Sequence, residues 1–456
     1  MNVAVVLYTS DLRVHDHPPL RAALSSCDQV VPLFVRDRAP AAGFASPNRL
    51  AFLADCLADL DASLRERGGR LVVRSGDPVA EVTALARECD ADEVHTAAGV
   101  SGYAHAREER LRAALEAEGR RLHVHDAVVT AVAPGAAVPA GSDHFAVFTP
   151  YLRRWADLPP RPVAAAPRTV RVPEGIGSEP LPDRAAVTGT SPGLARGGER
   201  RARRLLTDWL RSGITRYEEV HDDLAGDATS RLSPHLHFGT LSAAEAVQRS
   251  RAAGGPGAEA FVRQLCWRDF HHQVLAARPA AARADYRARQ DRWRTGRAAE
   301  EEVEAWKQGR TGYPLVDAAM RQLRHEGWMH NRGRLVAASF LAKTLYVDWR
   351  IGARHFQDLL VDGDVANNQL NWQWVAGTGT DTRPNRVLNP VRQGLKYDPR
   401  GAYVHRWIPE LADLPAPRVH EPWLLPAAER ARFDYPEPLI GLADGLDRFR
   451  QGRGLG

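Results

Sequence analysis

Short runs of β-branched and aliphatic residues recur through the first part of the chain with amphipathic stretches between them, and this alternation restricts the possible folds more than any other feature. The runs are Val3–Tyr8, Val30–Val35, Leu71–Arg74, Glu93–Thr96 and Leu122–His125. Helical periodicity marks Pro47–Arg67, Pro78–Cys89 and Tyr103–Glu118. Strands and helices in alternation at this spacing predict a parallel α/β sheet of Rossmann-like type over residues 1–130. The turn after the first strand reads Thr9-Ser10-Asp11-Leu12-Arg13 and lacks G-x-G-x-x-G, so no standard dinucleotide site is expected there.

Residues 131–198 change character: Pro159, Pro160, Pro162, Pro167, Pro173, Pro180, Pro182 and Pro192 punctuate a run of poor periodicity, read as an interdomain linker. From residue 199 to 456 helical patterns dominate, as at Arg201–Ser212, Ala258–Arg278, Pro314–Glu326 and Arg332–Tyr346, and the second domain is expected to be all-α. A chain of 456 residues suits two domains. The net charge of +5 is compatible with an anionic partner without requiring one. Cys27, Cys56, Cys89 and Cys266 are far apart with no C-x-x-C, which argues against a disulfide framework, a zinc site or an iron–sulfur cluster. No metal is expected. The N-terminus has neither a basic leader nor a long apolar run, so a cytoplasmic protein with no membrane span is anticipated.

The stretch Asp362–Thr382, DGDVANNQLNWQWVAGTGTDT, sets Asn367, Asn368, Gln369 and Asn371 among the indoles of Trp372 and Trp374. An unpartnered buried amide costs roughly 1–3 kcal/mol, so these groups are expected to face something polar and flat, such as a heteroaromatic ring. In Asp227–Gly239, Ser233 before Pro234 reads as an N-cap and helix start. Thr229, Ser230 and Arg231 just ahead of it could hold a phosphate, or simply precede a capped helix. In Phe261–His272, Gln264, Trp267 and Arg268 share one helix face, suited to stacking on a base; equally, Trp267 could be core and Arg268 paired to a carboxylate. His271 and His272 lack a metal-ligand partner at useful spacing and read as structural. In Gly327–Arg334, Trp328, Asn331 and Arg334 share a face, with Asp362 or Asp364 the natural counter-charge for Arg334.

Taken in order, TSRLSP, WRDF, TGYPLVDAAMRQL, GWMHNR and DGDVANN…WQW resemble the FAD-binding domain of the photolyase/cryptochrome family, and the likeness runs from DLRVHDHP near the first strand to HEPW at His420–Trp423. The chain most resembles class I cyclobutane pyrimidine dimer photolyases of the deazaflavin-antenna type. The resemblance implies light-dependent DNA repair: photoexcited, fully reduced FAD (FADH⁻) donates an electron to a dimer flipped out of DNA, and the dimer splits to two pyrimidines. It implies a carbon–carbon lyase acting as a monomer on UV-damaged single- or double-stranded DNA, independent of sequence and nucleoid-associated when bound.

The same resemblance assigns Tyr217, Thr229, Ser230, Arg231, Leu232 and Ser233 to the FAD phosphates. Arg334 with Asp362 stands beside the isoalloxazine, Asp364 at its edge and Asn368 opposite flavin N5. Trp372, Trp349 and Trp293 match an electron-transfer relay, with Trp306 as the alternative outer member because the Trp293–Trp306 stretch departs from the family spacing. Trp267 and Trp374 would flank the dimer, Asn331 would contact it, and Gln264, Arg268, Trp328, Arg332 and Arg392 complete the DNA surface. Gln264 stands where many members carry Glu, and Leu335 where Met is frequent. The antenna is expected to be 8-hydroxy-5-deazaflavin near Phe34, Asp37, Arg49, Phe52 and Gly99, with methenyltetrahydrofolate as the alternative. A blue-light sensor and a non-photochemical flavoprotein are the rival readings. Asn368 and the little room for a signalling tail before Gly456 count against the first; the Trp349–Trp372 spacing counts against the second.

Overall fold

The structure, a computed structural model, describes residues 1–37, 45–159 and 161–455. Among them the strands β1 (Val3–Tyr8), β2 (Gln29–Asp37), β3 (Val72–Gly76), β4 (Glu93–Ala97) and β5 (Arg121–His125) form one parallel sheet of order β3-β2-β1-β4-β5. Every residue of β1 is buried, as expected for a central parallel strand covered on both faces. Val5, Leu7, Val31, Leu33, Val72 and Val94 pack with Val82, Leu85, Leu111 and Leu115 from the covering helices.

Those helices begin where the sequence provides caps. They are α1 (Pro18–Ser26), α2 (Pro47–Arg65), α3 (Pro78–Glu88) and α4 (Gly102–Glu116). Ser46, Asp77 and Ser101 each accept a backbone N–H of the first turn, and proline opens α1, α2 and α3. α1 was not anticipated: Pro18-Pro19 looks like a breaker, yet the first turn needs no N–H donors, and His17 Nδ1 accepts the Leu20 N–H at 3.0 Å.

The chain divides into two compact units: residues 1–189, 195–218 and 230–279, and residues 190–194, 219–229 and 280–456. This division does not follow the linker read from the sequence. The run DLRVHDHP ties the sheet to later segments of the first unit. Val14 and His15 N–H groups donate to Glu199 at 2.8 and 2.9 Å, and Arg13 donates to the carbonyls of Val128 and Gly239. Gly239 has φ +64°, and a Cβ there would lie 1.9 Å from the Ser10 carbonyl oxygen, so only glycine permits this approach. The supposed linker itself contains a helix, Phe148–Asp157, burying Phe148, Tyr151 and Trp155.

The second unit is helical. Trp306, Met320, Leu323, Phe340, Leu341, Trp349, Phe356 and Trp372 lie in one core. The helices Trp349–Leu359 and Val365–Ala376 pack closely at Gly352, where a Cβ would stand 2.2 Å from the Trp372 ring. No helix among the described residues is long and apolar enough to cross a membrane.

Candidate cofactor and DNA-lesion site

In the helical unit, Asp364 caps Val365–Ala376 by accepting the Asn367 N–H at 2.7 Å and its side-chain amide at 2.9 Å. Asp364, expected at a ring edge, is thus engaged in holding the helix start. One turn on, Asn368 donates Nδ2 to the Ala353 carbonyl at 2.9 Å. Only the NH₂ end can make that bond, so the amide is oriented with its carbonyl turned away from the neighbouring helix. Arg334 donates to Met329 O at 2.9 Å and to Asp362 Oδ2 at 2.8 Å, which makes Asp362 the counter-charge. The Asp362 side chain is only 3% exposed, and its other oxygen, Oδ1, is buried with no hydrogen-bond partner among the described residues. Gln369 Oε1 and Trp372 Nε1 are buried and unpartnered as well.

Orphaned groups of this kind are rare in a native interior, because each forfeits its solvation. A ligand that presents both hydrogen-bond donors and acceptors would satisfy them, and the heteroaromatic edge of a flavin does so. The residues present fit FAD.

The expected phosphate-side residues divide between the units. In the first, Tyr217 is buried, edge-on to Trp209 and Phe261 at centroid distances of 5.4 and 5.6 Å. Ser230 Oγ accepts the Leu232 N–H at 3.4 Å. The helix Ser233–His237 starts at Ser233 itself with Leu232 as the residue before it and no side-chain cap, so Ser233 is not the N-cap expected from the sequence. Arg231 has φ +53° and Leu232 is right-handed helical, a succession that turns neighbouring N–H groups toward one concavity. In the second unit, Thr229 Oγ1 is buried and unpartnered.

The tryptophans separate by burial and bonding. Trp372 and Trp349 are 2% and 0% exposed, and Trp349 Nε1 donates to Asp285 at 2.8 Å. Trp306 is fully buried, donates Nε1 to Ala337 O at 3.0 Å and meets Trp372 edge-on at 6.1 Å. Trp293 is half-buried, 4.9 Å from Tyr346. Sequence reasoning missed Asp285, whose carboxylate also takes the Arg350 guanidinium at 3.0 Å.

Of the DNA-contact residues, Asn331, Gln264 and Arg392 are exposed, Trp374 is half-buried and Trp328 is 8% exposed. Trp267 stacks flat on Phe148, 3.6 Å between centroids and 6° between planes, so one face of its indole is already covered. Phe148 was missed because its segment was read as linker, although Phe148, Tyr151 and Trp155 recur at helical spacing. Arg268 and Arg332 are not the free cations expected of phosphate contacts. Arg268 donates to Val129 O and Leu236 O at 2.8 and 3.1 Å. Arg332 is paired to Asp222 at 2.6 Å and lies over the Tyr397 ring at 4.3 Å.

His330, in the GWMHNR segment, is the N-cap of Asn331–Ser339, its Nδ1 accepting the Arg332 N–H at 3.1 Å. Burial lowers its pKa to about 4. Lys343, 1% exposed, donates to the Pro384 carbonyl at 2.8 Å and to that of Arg386 at 2.5 Å, and burial lowers its pKa to about 7.

Around the anticipated antenna residues, Phe34 is 8% exposed, and Asp37 accepts the Tyr103 hydroxyl. Arg49 and Phe52 are fully buried, with Phe52 packed on His235 and Phe238 at 5.2 and 4.9 Å. Gly99 borders a cavity with Val100, Glu108, Asp126, Thr130 and Gln273, and its N–H donates to Glu108 at 2.8 Å.

Residues 4–168 match the family described as DNA photolyase and residues 261–452 the FAD binding domain of DNA photolyase. A deoxyribodipyrimidine photo-lyase of Streptomyces griseus is 67% identical, with all of both chains covered. The crystal structure of a bacterial class III photolyase from Agrobacterium tumefaciens superposes with a TM-score of 0.93 at 32% identity, covering 100% of this chain and 98% of that one. An archaeal photolyase from Sulfolobus tokodaii, crystallised with two FAD molecules, matches with a TM-score of 0.84 at 29% identity, covering all of both chains. The parallel sheet, the helical FAD-binding domain and these full-length likenesses together mean that the chain belongs to the photolyase/cryptochrome family.

Proposed function

We propose that this protein is a deoxyribodipyrimidine photo-lyase: it binds UV-damaged DNA and splits cyclobutane pyrimidine dimers in light. The observation that carries the reading is Asp362, held by Arg334 through one oxygen while the other is buried and unpartnered. When bound, fully reduced FAD supplies the photoexcited electron that opens the dimer. The chain's own residues bind, orient and tune.

Arg334 and Asp362, paired to each other, would hold the flavin ring, and Asn368 would present to it a neutral amide carbonyl whose direction Ala353 fixes. Asp364 acts by capping the helix that carries Asn368. Thr229, Ser230, Arg231, Leu232, Ser233 and Tyr217 serve the phosphate end, where the left-handed turn at Arg231 gathers backbone N–H groups for an anion. Trp267, backed by Phe148, offers one indole face to an extruded base, and Trp374 another. Trp328, Asn331 and Gln264 contact the lesion, and Arg392 the phosphodiester backbone, which makes affinity salt-dependent and sequence-independent. Arg268 and Arg332 act by positioning. Trp372, Trp349 and Trp293 form the relay. Trp293 is the outer member because a relay must end where solvent reductant can reach, and Trp306 is fully buried.

The antenna is assigned to 8-hydroxy-5-deazaflavin near Phe34, Asp37 and Gly99. Arg49 and Phe52, fully buried, shape that region from within. Extraction and mass analysis of the second chromophore checks this; a folate or a second FAD would overturn it. The monomeric state is checked by light scattering with and without DNA.

The deciding experiment for the main reading uses an oligothymidine carrying a cyclobutane dimer. Reduced protein should restore thymine absorbance under blue light and not in the dark. Failure with reduced FAD and lesion both bound would move the assignment to a (6-4) lesion or a sensor, the role against which Asn368 counts.

A further inference from the structure

A cluster with ligand chemistry lies in the N-terminal sheet, in residues that the repair reaction does not use. β4 and β5 pair with His95 opposite His123 and Ala97 opposite His125. Side chains alternate along a strand, so Glu93 and His95 share one face with His123 and His125. α1 packs against both strands. At its end the Ser26 hydroxyl donates to Glu93 Oε1, and Cys27 Sγ stands 3.3 Å from the same oxygen.

Glu93 and His95 are 5% and 3% exposed. His95 Nε2 lies 3.3 Å from Glu93 Oε1, and His123 Nε2 lies 3.2 Å from Glu93 Oε2. The ligating atoms of Glu93, His95 and His123 fall within 4.8 Å of one another. The ring of His95 stacks on that of His123 at 4.7 Å, and its Nδ1 is 2.9 Å from His125 Nε2.

The informative atom is His95 Nε2. It is buried 3.3 Å from the Glu93 carboxylate oxygen, without a well-aligned hydrogen bond to any of the described residues. If His95 donates through Nδ1 to His125, Nε2 is a lone pair facing an anionic oxygen. If Nε2 carries the proton, the proton is misdirected. A cation seated between the nitrogen and the carboxylate resolves either case. Zinc–nitrogen and zinc–oxygen bonds of about 2.0–2.1 Å make the edge of a tetrahedron about 3.3 Å, close to the 3.3 and 3.2 Å that separate His95 Nε2 and His123 Nε2 from the Glu93 oxygens. The His95–His125 contact is the outer hydrogen bond that a metal-bound imidazole ordinarily makes. Arg121, 3.5 Å from Glu93 Oε2 and 69% exposed, is an arginine near the carboxylate that can swing into water.

We propose that Glu93, His95 and His123 form a binding site for a divalent transition-metal ion of the zinc class, with Cys27 at its rim as a fourth ligand. Such an ion ties the edge strand β5 to β4 and, through Cys27, to the end of α1. The absence of C-x-x-C spacing hid the site, because its ligands come from neighbouring strands rather than neighbouring positions.

The test is zinc titration of the full-length, tag-free, FAD-loaded chain after chelator treatment, followed by calorimetry and by thermal unfolding. One equivalent should bind and raise the unfolding midpoint. His123→Ala, at a part-exposed edge position, and Glu93→Gln should each weaken binding by at least ~10-fold, the loss that even outer-shell partners give. Cys27→Ser should weaken it less. Flavin content measured on the same samples reports that the variants are folded. No saturable uptake by the folded wild type would overturn the proposal, as would binding that His123→Ala and Glu93→Gln leave unchanged.

Discussion

Two buried polar networks, one in each unit, differ in how completely they are satisfied. In the N-terminal unit, Asp11 accepts from Thr9 N–H at 2.7 Å and pairs with His17 at 2.8 Å. Arg13 donates to the carbonyls of Asp16, Val128 and Gly239, and Asp16 is held by Arg161, the Ala164 N–H and Ser242. In the helical unit, Asp362 Oδ1, Gln369 Oε1 and Trp372 Nε1 are equally buried but unpartnered. A closed network stabilises the fold, whereas an open one waits for a ligand. Polar density in the sequence is similar in both places and does not distinguish them.

The sharpest way to break this contrast is to open the closed network. Arg13→Ala strands three carbonyls and removes a charge from beside two buried carboxylates, so it should cost ~3–5 kcal/mol in urea unfolding, the range for half of a buried pair. A cost below ~1 kcal/mol would mean that the closed network contributes little to holding the fold.

His330 sits between the two cases, with Nδ1 engaged as a cap and Nε2 unpartnered. Its folded pKa of about 4 lies below the ordinary value of 6.5, so the unfolded chain takes the proton first. The stability it contributes is complete above about pH 6.5 and is lost as pH falls toward about 4, by at most ~3 kcal/mol. His125 and His355, also lowered to about 4, add to the same acid sensitivity. The difference between wild type and His330→Asn isolates one residue, since Asn caps a helix without titrating. Parallel stability–pH curves for the two proteins would refute it.

Opening the already open network should do the reverse of Arg13→Ala. Asp362→Asn keeps a hydrogen bond to Arg334 and should cost the apoprotein only ~1–2 kcal/mol, while flavin content after purification drops sharply. Equal flavin occupancy in mutant and wild type would remove Asp362 from the cofactor site.

The strands and most helices were legible because hydrophobic period and caps are local: β1 matches its predicted bounds, and Ser46, Asp77 and Ser101 open helices near the positions expected. The grouping of the chain into units was not. It depends on contacts such as Arg13 with Gly239, 226 residues apart, which no local pattern records. In the site, Asp362 as the partner of Arg334 was readable from charge and spacing. The tying down of Arg268 and Arg332 was not, because their partners are backbone carbonyls and a distant Asp222. Asp317 in TGYPLVDAAMRQL makes the same point: it is buried on Thr311, Gly312 and Tyr435, so that motif segment is structural.

The smallest expected change in stability separates the two tryptophans that the sequence left as alternatives for the outer relay position. Trp306 is fully buried and its N–H is bonded to Ala337, so Trp306→Phe loses that bond and some packing, ~1–2 kcal/mol. Trp293 is half-buried against Tyr346, and Trp293→Phe should stay within ~0.5 kcal/mol. Light-driven reduction of the flavin with an external reductant should invert that order, failing in Trp293→Phe and surviving in Trp306→Phe. The argument rests on access: an oxidised relay residue must be re-reduced from solvent, and Trp306 has no exposed surface through which that can happen. Were Trp306→Phe to abolish photoreduction while Trp293→Phe did not, the relay would run through the 6.1 Å edge contact between Trp306 and Trp372, and burial would be no guide to its exit.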